Sequence, residues 1–584
     1  MSLETEHTPP HWTPMTLPTP PHPSISPLRS PPRPAATGTW TARGSALCAA
    51  LLLSTGAAWS QVPGSAGQLL EETRRPPPPT LPPQTPPRVI EAPVRPAINM
   101  PEGVSVSVSG FRITGNRSFP ADALEALVQP WVGKRLDIRG LNEAAGALTR
   151  FYQASGHLLS YAYLPAQRVG DGVIELAVLE GKLEGVQVVT AQDVRLRDEV
   201  VQAHTDSLVG QSPVTQEAVE RKLLLLNDMP GVAARAAFTP GATTGGAEMV
   251  VSVAEDEPLE IRTELNNHGS KSTGVYRAGL SLHFRDLFGW GDSTTARGFA
   301  SNKGSLVSGS LGTSVPVGGD GWRLGASVSR LQYQLADVFK SAGALGTANA
   351  LGFDASYPLR RSSDSNLTAR AGLDFKRLHD ETRAGGSVDK RNDTGEVGIA
   401  FDFRDGIGGL SAGNATATLG QLRESGLARR EWHKLNVQLA RQQAVAGPVS
   451  LYARFSGQTT GASNLDSSEK LGLGGAGAVR AYPSGEASVD HGVLASLELR
   501  YSLDVLGGSV VGSLFHDYGS GQISRGKGSA PGNEPELNGT GFGLSWSGSG
   551  MGLNASVAWR GNRAPTTDGA DPRPRVFLQW TYTP

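Results

Sequence analysis

The chain has 584 residues, a formal net charge of -1 and 38% hydrophobic residues. That length exceeds one ordinary domain, and the charge balance argues against a nucleic-acid partner. Past one N-terminal apolar core, no run approaches the ~18 consecutive apolar residues of a membrane helix, which excludes a helical membrane protein.

The N-terminal core is Ala46-Leu47-Cys48-Ala49-Ala50-Leu51-Leu52-Leu53, preceded by Arg43 and followed by Ala58-Trp59-Ser60. It has the shape of a secretory signal, so residues 1–60 are expected to be an extension and signal peptide cleaved after Ser60. Cys48 is the only cysteine, and the mature chain is then expected to hold neither disulfides nor thiolate chemistry. The proline-rich start from Met1 to Gly44 is long for such a signal. A true start at Met15 or a later codon explains it better than a folded domain.

Residues 61–75 contain a polar, helix-compatible piece from Gly67 to Arg75, and Pro76 to Pro96 is dense in proline. Proline fixes 76–100 as an extended spacer without a core. From 101 to 183 the pattern changes. Val104, Val106 and Val108 alternate with serines into Phe111 and Ile113, and Pro120 opens a helix with Leu124 and Leu127 on one face. Leu141, Ala144, Leu148 and Phe151 recur at helical spacing, and Tyr161 to Leu164 and Val173 to Leu179 read as strands. The same β-α-α-β-β order recurs over 184–257, with strands at Val186 to Val189, Val232 to Phe238 and Met249 to Val253, and helices at Val194 to His204 and Val214 to Asp228. Two tandem copies of one small domain are the economical reading.

From Pro258 to Pro584 helical periodicity disappears, and about sixteen alternating segments of roughly ten residues follow, the pattern of an antiparallel membrane barrel. In the clearest, Val493, Ala495, Leu497, Leu499, Tyr501 and Leu503 are apolar while Ser496, Glu498, Arg500, Ser502 and Asp504 are polar. Charges on the second face must look into a wet lumen. Between two strands lies Leu471 to Gly492, a glycine-rich loop with one arginine, Arg480. Further on, alternation puts Phe515 and Asp517 on one strand face. A loop folded back into a closed barrel brings Arg480 to Asp517, where a charge is costly unless paired. The plain alternative is a surface turn with two unrelated charges, worth ~0 to 1 kcal/mol if they pair in solvent.

Catalytic signals are weak. Gly472, Gly474 and Gly477 match G-x-G-x-x-G by letters, but Pro483 and Gly485 break the helix that fingerprint needs. Gly409 to Gly413 matches G-x-S-x-G, yet Asn414 to Thr418 continues as a strand. The 11 histidines show no ligand spacing, and no G-x-x-x-x-G-K-[ST] loop follows a strand. No metal, cofactor or enzymatic activity is expected.

Phe151-Tyr152-Gln153-Ala154-Ser155-Gly156, Tyr163-Leu164-Pro165-Ala166-Gln167 and Val178-Leu179-Glu180-Gly181-Lys182 together resemble the first POTRA domain of the two-partner secretion transporters. These are the haemolysin and haemagglutinin secretion proteins of the Omp85 superfamily. Leu287-Phe288-Gly289-Trp290-Gly291-Asp292 is similar to an early barrel hairpin of that family. Val479-Arg480-Ala481-Tyr482 resembles its V-R-G-Y/F loop motif, and Phe515-His516-Asp517 its F-x-D wall motif. The resemblance implies a sixteen-stranded barrel, two periplasmic POTRA domains, and export of one large partner exoprotein, an adhesin, haemolysin or toxin, unfolded across the outer membrane. It also implies a helix near 69–75 that plugs the pore, outer-membrane lipid and the barrel-assembly machinery as partners, and a monomeric state. Two departures stand out: Ala481 replaces the family's glycine, which strains the loop tip if that position needs a positive φ, and Pro584 replaces a terminal aromatic. Three alternatives stay open: a barrel-assembly factor of the same superfamily, a passive porin, and an adhesin whose C-terminal part is water-soluble.

Overall fold

The computed structural model describes residues 64–74, 90–91, 105–505, 507–528, 530–561, 566 and 573–584. The expected signal peptide and most of the proline-rich spacer lie outside the described residues. The first described elements are the helix α1 (Ala66–Arg74) and a two-residue strand β1 (Ile90–Glu91).

The first small domain comprises β2 (Ser105–Ser107), β3 (Gly110–Thr114), α2 (Ala121–Val128), β4 (Arg135–Asp137), α3 (Ile138–Ala154), β5 (Tyr161–Tyr163) and β6 (Val173–Leu179). Its sheet runs β3-β6-β5, and β2 pairs separately with β4. The valine alternation anticipated as one strand is therefore split in two, because the Ser109 amide leaves for the Gly172 carbonyl at 2.8 Å. The Asp137 carboxylate caps α3, accepting from the Gly140 amide at 2.9 Å. Leu141, Leu148 and Tyr152 bury one face of that helix against Ile113, Ile174 and Leu176. Tyr152 is fully buried, and its hydroxyl donates to Glu180 at 3.2 Å. Glu180 also accepts from the Arg117 and Ser118 amides. Burial raises its pKa, but those donors outweigh it and hold the carboxyl below the usual range. Two of the three sequence pieces that carry the resemblance in this domain are thus halves of one polar lock.

The second domain comprises β7 (Lys182–Thr190), α4 (Asp198–Thr205), α5 (Gln216–Asn227), β8 (Val232–Pro240) and β9 (Gly246–Glu255). The sheet order is β1-β8-β9-β7, with β1 parallel to β8 through Ile90 opposite Ala236 and Glu91 opposite Ala237.

The remainder is a closed barrel of sixteen strands. These are β10 (Leu259–Asn266), β11 (Arg277–Arg285), β12 (Ser293–Ser301), β13 (Leu306–Val317), β14 (Trp322–Gln334), β15 (Leu345–Arg361), β16 (Ser365–Thr382) and β17 (Gly386–Arg404). Then come β18 (Gly409–Glu424), β19 (Arg430–Ala446) and β20 (Val449–Thr460), and, after the short β21 (Leu471–Gly472) and β22 (Ser488–Val489), β23 (His491–Val505), β24 (Gly508–Gln522), β25 (Glu536–Gly548), β26 (Met551–Arg560) and β27 (Arg575–Tyr582). All neighbours are antiparallel, and β27 closes on β10 with Leu265 opposite Trp580. Leu497, Leu499 and Tyr501 are about half exposed on the outer face while Ser496 and Glu498 are buried inside, as the alternation of lipid and water requires. The roughly ten-residue segments were too short in the middle of the barrel: β16 and β17 have 18 and 19 residues. At ~3.3 Å per residue such strands overshoot a ~30 Å hydrocarbon layer and stand out beyond it.

The second domain meets the barrel at the turn 286–292 between β11 and β12. The Arg197 amide donates to the Gly289 carbonyl at 3.1 Å, and its guanidinium lies 4.4 Å from the Trp290 ring centroid. Asp292 accepts from the Leu287 and Phe288 amides, and Asp286 from the Gly291 amide at 2.7 Å. The other oxygen of Asp286 has no donor among the described residues and faces Glu255, which Arg195 holds at 3.1 Å. Burial, with Glu255 and Asp292 adding to it, pushes the Asp286 carboxyl up to about 6. Since its docked pKa lies above its free one, this junction is tighter while Asp286 is protonated and loosens as pH rises through that value, by no more than about 3 kcal/mol. Hydrogen exchange in 286–292, corrected for intrinsic rates, is expected to be slower at pH 5.5 than at 7.5, and Asp286→Asn is expected to remove the difference.

Candidate functional site: a loop locked inside the barrel

The segment 461–490 leaves β20, folds into the lumen and returns to β23. Its tip is closed by β21 pairing with β22 and by the Val479 amide donating to the Leu473 carbonyl at 2.9 Å. Leu473, Val479, Ala481, Tyr482 and Val489 pack on Leu494, Phe515, Leu537 and Ala558 of the wall. Alternation aims this wall patch inward: Ser496 pairs opposite Asp517, and Glu498 opposite Phe515, on adjacent strands β23 and β24.

Arg480 enters that patch. Its Nε donates to one oxygen of Asp517 at 2.8 Å and its Nη2 to the other at 2.7 Å, a bidentate pair. The Arg480 amide adds a third bond to Asp517 at 3.1 Å. Nη2 also reaches the Ser496 hydroxyl at 3.1 Å and Glu498 at 2.8 Å, and the guanidinium lies 3.4 Å from the Phe515 ring centroid. Asp517 is wholly buried. The structure therefore brings Val479, Arg480, Ala481, Tyr482, Phe515 and Asp517 into one cluster.

Ala481 is not among the residues with positive φ, so the strain anticipated for an alanine there is absent. Its methyl instead sits over Gly539, where an added Cβ would approach it to 2.5 Å. The strained position is Ala487, at φ 51°.

The base of the loop has a second set of anchors that no sequence spacing announced. Glu469 accepts from Lys376 at 2.6 Å and Lys434 at 2.8 Å, and from the Asn392 side chain at 2.7 Å. Asp466 pairs with Lys390 at 3.0 Å, and Lys470 with Asp490 at 2.7 Å. Lys470 and Asp490 are both loop residues, while Lys376, Lys390 and Lys434 lie on β16, β17 and β19, and the curvature of the wall turns all three towards the loop. Their one sequence signal is a charge on an inward phase.

Helix α1 occupies the space between this loop and the wall. Leu69 and Leu70 are buried against Leu331, Tyr333, Leu335 and Leu378. The Ala66 amide donates to Asp380 at 2.8 Å, and Arg74 pairs with Asp374 at 2.8 Å. The Ser65 hydroxyl donates to that of Ser467 at 2.8 Å, and a Cβ at Gly67 would come within 2.6 Å of the same Ser467 oxygen.

A closed outer-membrane barrel with periplasmic POTRA domains and an arginine loop locked in its lumen defines a polypeptide transporter of the outer membrane. The family described as haemolysin secretion/activation protein ShlB/FhaC/HecB matches residues 245–546, and the ShlB-type POTRA domain matches 106–181. The chain belongs to that family and is an outer-membrane transporter of two-partner secretion. It is similar to the heme/hemopexin transporter protein HuxB of Haemophilus influenzae strain 86-028NP, 27% identical over 462 residues that cover 76% of this chain and 81% of that protein. It is also similar to the outer membrane transporter CdiB of Escherichia coli, 25% identical over 436 residues, 69% of this chain and 70% of that protein. The solved structure of CdiB from Escherichia coli shares the fold, with a TM-score of 0.65 at 21% identity over 82% of this chain and 91% of that one.

Removing one partner of the Arg480 pair leaves a charge in the lumen, at ~3 kcal/mol or less given partial hydration. Arg480→Ala and Asp517→Asn are each expected to leave barrel abundance and heat-modifiable gel mobility near wild type while cutting secretion about tenfold and exposing 471–489 to protease. Loss of the folded barrel in both variants would instead make the pair purely structural.

Proposed function

We propose that the partner exoprotein is captured in the periplasm as an extended segment added to a POTRA sheet edge, then threaded unfolded through the barrel after α1 and the loop tip give way. The observation that carries this is α1 itself, a helix seated in the lumen. Two buried leucines, worth roughly 2 kcal/mol each, and a few polar bonds hold it there. A contact of that size yields to a bound partner. Residues 75–89, between α1 and the point where β1 is held on β8, are long enough at ~3.1 Å per residue to let the helix travel.

Strand addition is supported by β1, a two-residue strand from outside the domain that lies parallel along β8 and that a longer partner segment would displace. A partner segment recognised there bonds through backbone, which tolerates sequence variety. The lumen carries Lys376, Glu469, Arg480, Glu498 and Asp517, so a passing chain finds donors and acceptors for its amides. The proposal uses no nucleotide; partner folding outside the cell makes export directional. Insertion by the barrel-assembly machinery and action as a monomer belong to the same reading, since the closed wall offers no free strand edge to a second copy. In this reading the cargo is a large secreted adhesin, haemolysin or toxin.

Deleting 64–74 is expected to raise single-channel conductance while a co-expressed partner still reaches the medium. Unchanged conductance contradicts the plug. A folded barrel that exports nothing, in cells whose other barrels assemble poorly without it, replaces this reading with an assembly factor.

A further inference from the structure

The outer face of β14 to β18 carries a row of cations that secretion does not use. Arg330 lies opposite Asn349, Asn349 opposite Arg377, Arg377 opposite Arg391, and Arg391 opposite Arg423, so one cross-strand row spans five strands. All four arginines are exposed. They share a strand face with the lipid-facing Val328, Leu351, Leu373, Val397 and Leu419, which lie further towards the periplasmic end. The periplasmic end of these strands is fixed by Arg361, which pairs with Asp228 of the second POTRA domain at 2.7 Å. Arg377 stands ~30 Å along the barrel axis above the start of β16, one hydrocarbon thickness away. The row therefore sits where outer-leaflet acyl chains end and headgroups begin.

Its charge is not balanced from within. Asp393 serves both Arg377, at 2.9 Å, and Arg391, at 2.6 Å. Asp389 takes His379 at 2.8 Å. Among the described residues Arg423 reaches only the Gln421 amide oxygen, at 3.1 Å, while Arg330 meets the Asn349 oxygen at 3.5 Å and donates through Nη2 to the Gln332 amide oxygen at 2.8 Å. Neither of these two meets a carboxylate among the described residues. Asp393 bridges Arg377 and Arg391, but Arg391 against Arg423 are like charges directly opposite, an arrangement that is destabilising without an anion for Arg423. A shallow depression lined by Arg377, His379, Arg391 and Arg423, with the carboxylates Asp389 and Glu424 also on it, opens at this place. Guanidinium forks match phosphate oxygens in bidentate geometry.

We propose that this row is a binding site for the phosphates of the diphosphorylated, multiply acylated glucosamine glycolipid of the outer leaflet, the lipid A class, whose acyl chains lie on the apolar surface beneath. The glycolipid is favoured over other anions because the row continues directly into lipid-facing wall. The site rests on the outer-membrane placement alone and is independent of how the partner is exported.

The test is native mass spectrometry of the purified full chain with diphosphoryl lipid A, monophosphoryl lipid A, phosphatidylglycerol and inorganic phosphate as probes. Affinity is expected to fall from two phosphates to one, with phosphatidylglycerol and inorganic phosphate failing to compete. The double variant Arg330→Gln/Arg423→Gln, which breaks no ion pair, is expected to lose at least about tenfold in lipid A affinity, while Arg330→Lys/Arg423→Lys stays within about threefold. Heat-modifiable mobility reports that each variant is folded; should the double variant not fold, the ordering of probes on the wild-type chain decides. Lipid A affinity unchanged in the folded double variant, or equal competition by inorganic phosphate or phosphatidylglycerol, overturns the site.

Discussion

Everything inside this barrel is arranged around a charge that has no place in a closed pore without its counter-charge. Arg480 is carried to the tip of a long loop and delivered to Asp517, which is fully buried and takes three bonds from that one residue. Separating the two costs desolvation and gains only what lumen water returns. On the proposed export route the pair is firm at rest and gives way when water or a passing chain supplies other partners. The walls around it follow from this need: Ser496 and Glu498 on β23, and Phe515 and Asp517 on β24, are the inward members of two adjacent alternations.

The remaining luminal contacts share that character. Glu469 with Lys376 and Lys434, Asp466 with Lys390 and Lys470 with Asp490 hold the loop base through ion pairs rather than an apolar core. Helix α1 adds a small apolar footing through Leu69 and Leu70. On the proposed route the polar anchors of the loop base have a practical property: the same groups can hydrogen-bond an extended polypeptide once loop and helix are displaced. An apolar plug would leave an apolar channel behind, in which backbone amides have no partners. The Ser65–Ser467 contact joins helix and loop, so the two closures are mechanically linked.

Much of this was legible in the sequence, and for a physical reason. Lipid outside and water inside impose period-two alternation strand after strand, so the barrel and the inward phases of Ser496, Glu498 and Asp517 can be read directly. The POTRA motifs were legible through their resemblance to the family, and the structure adds that two of them meet in the Tyr152–Glu180 contact. Three things were not. Lys376, Lys390 and Lys434 sit on three different strands, and it is the curvature of the wall that turns them to Asp466 and Glu469. The conformation of Ala481 depends on how the tip packs over Gly539, which no local pattern encodes. The strand at Ile90–Glu91 is too short to show alternation, and its partner β8 lies far along the chain.

The central claim is that α1 and the loop must separate for the partner to pass. The direct test is Ser65→Cys/Ser467→Cys in a Cys48→Ser background, since Cys48 is the chain's only cysteine and the two serine oxygens lie 2.8 Å apart. The account predicts that partner secretion stops when the pair is oxidised and returns on adding reductant, with barrel abundance constant. Undiminished secretion from a fully cross-linked barrel would contradict it.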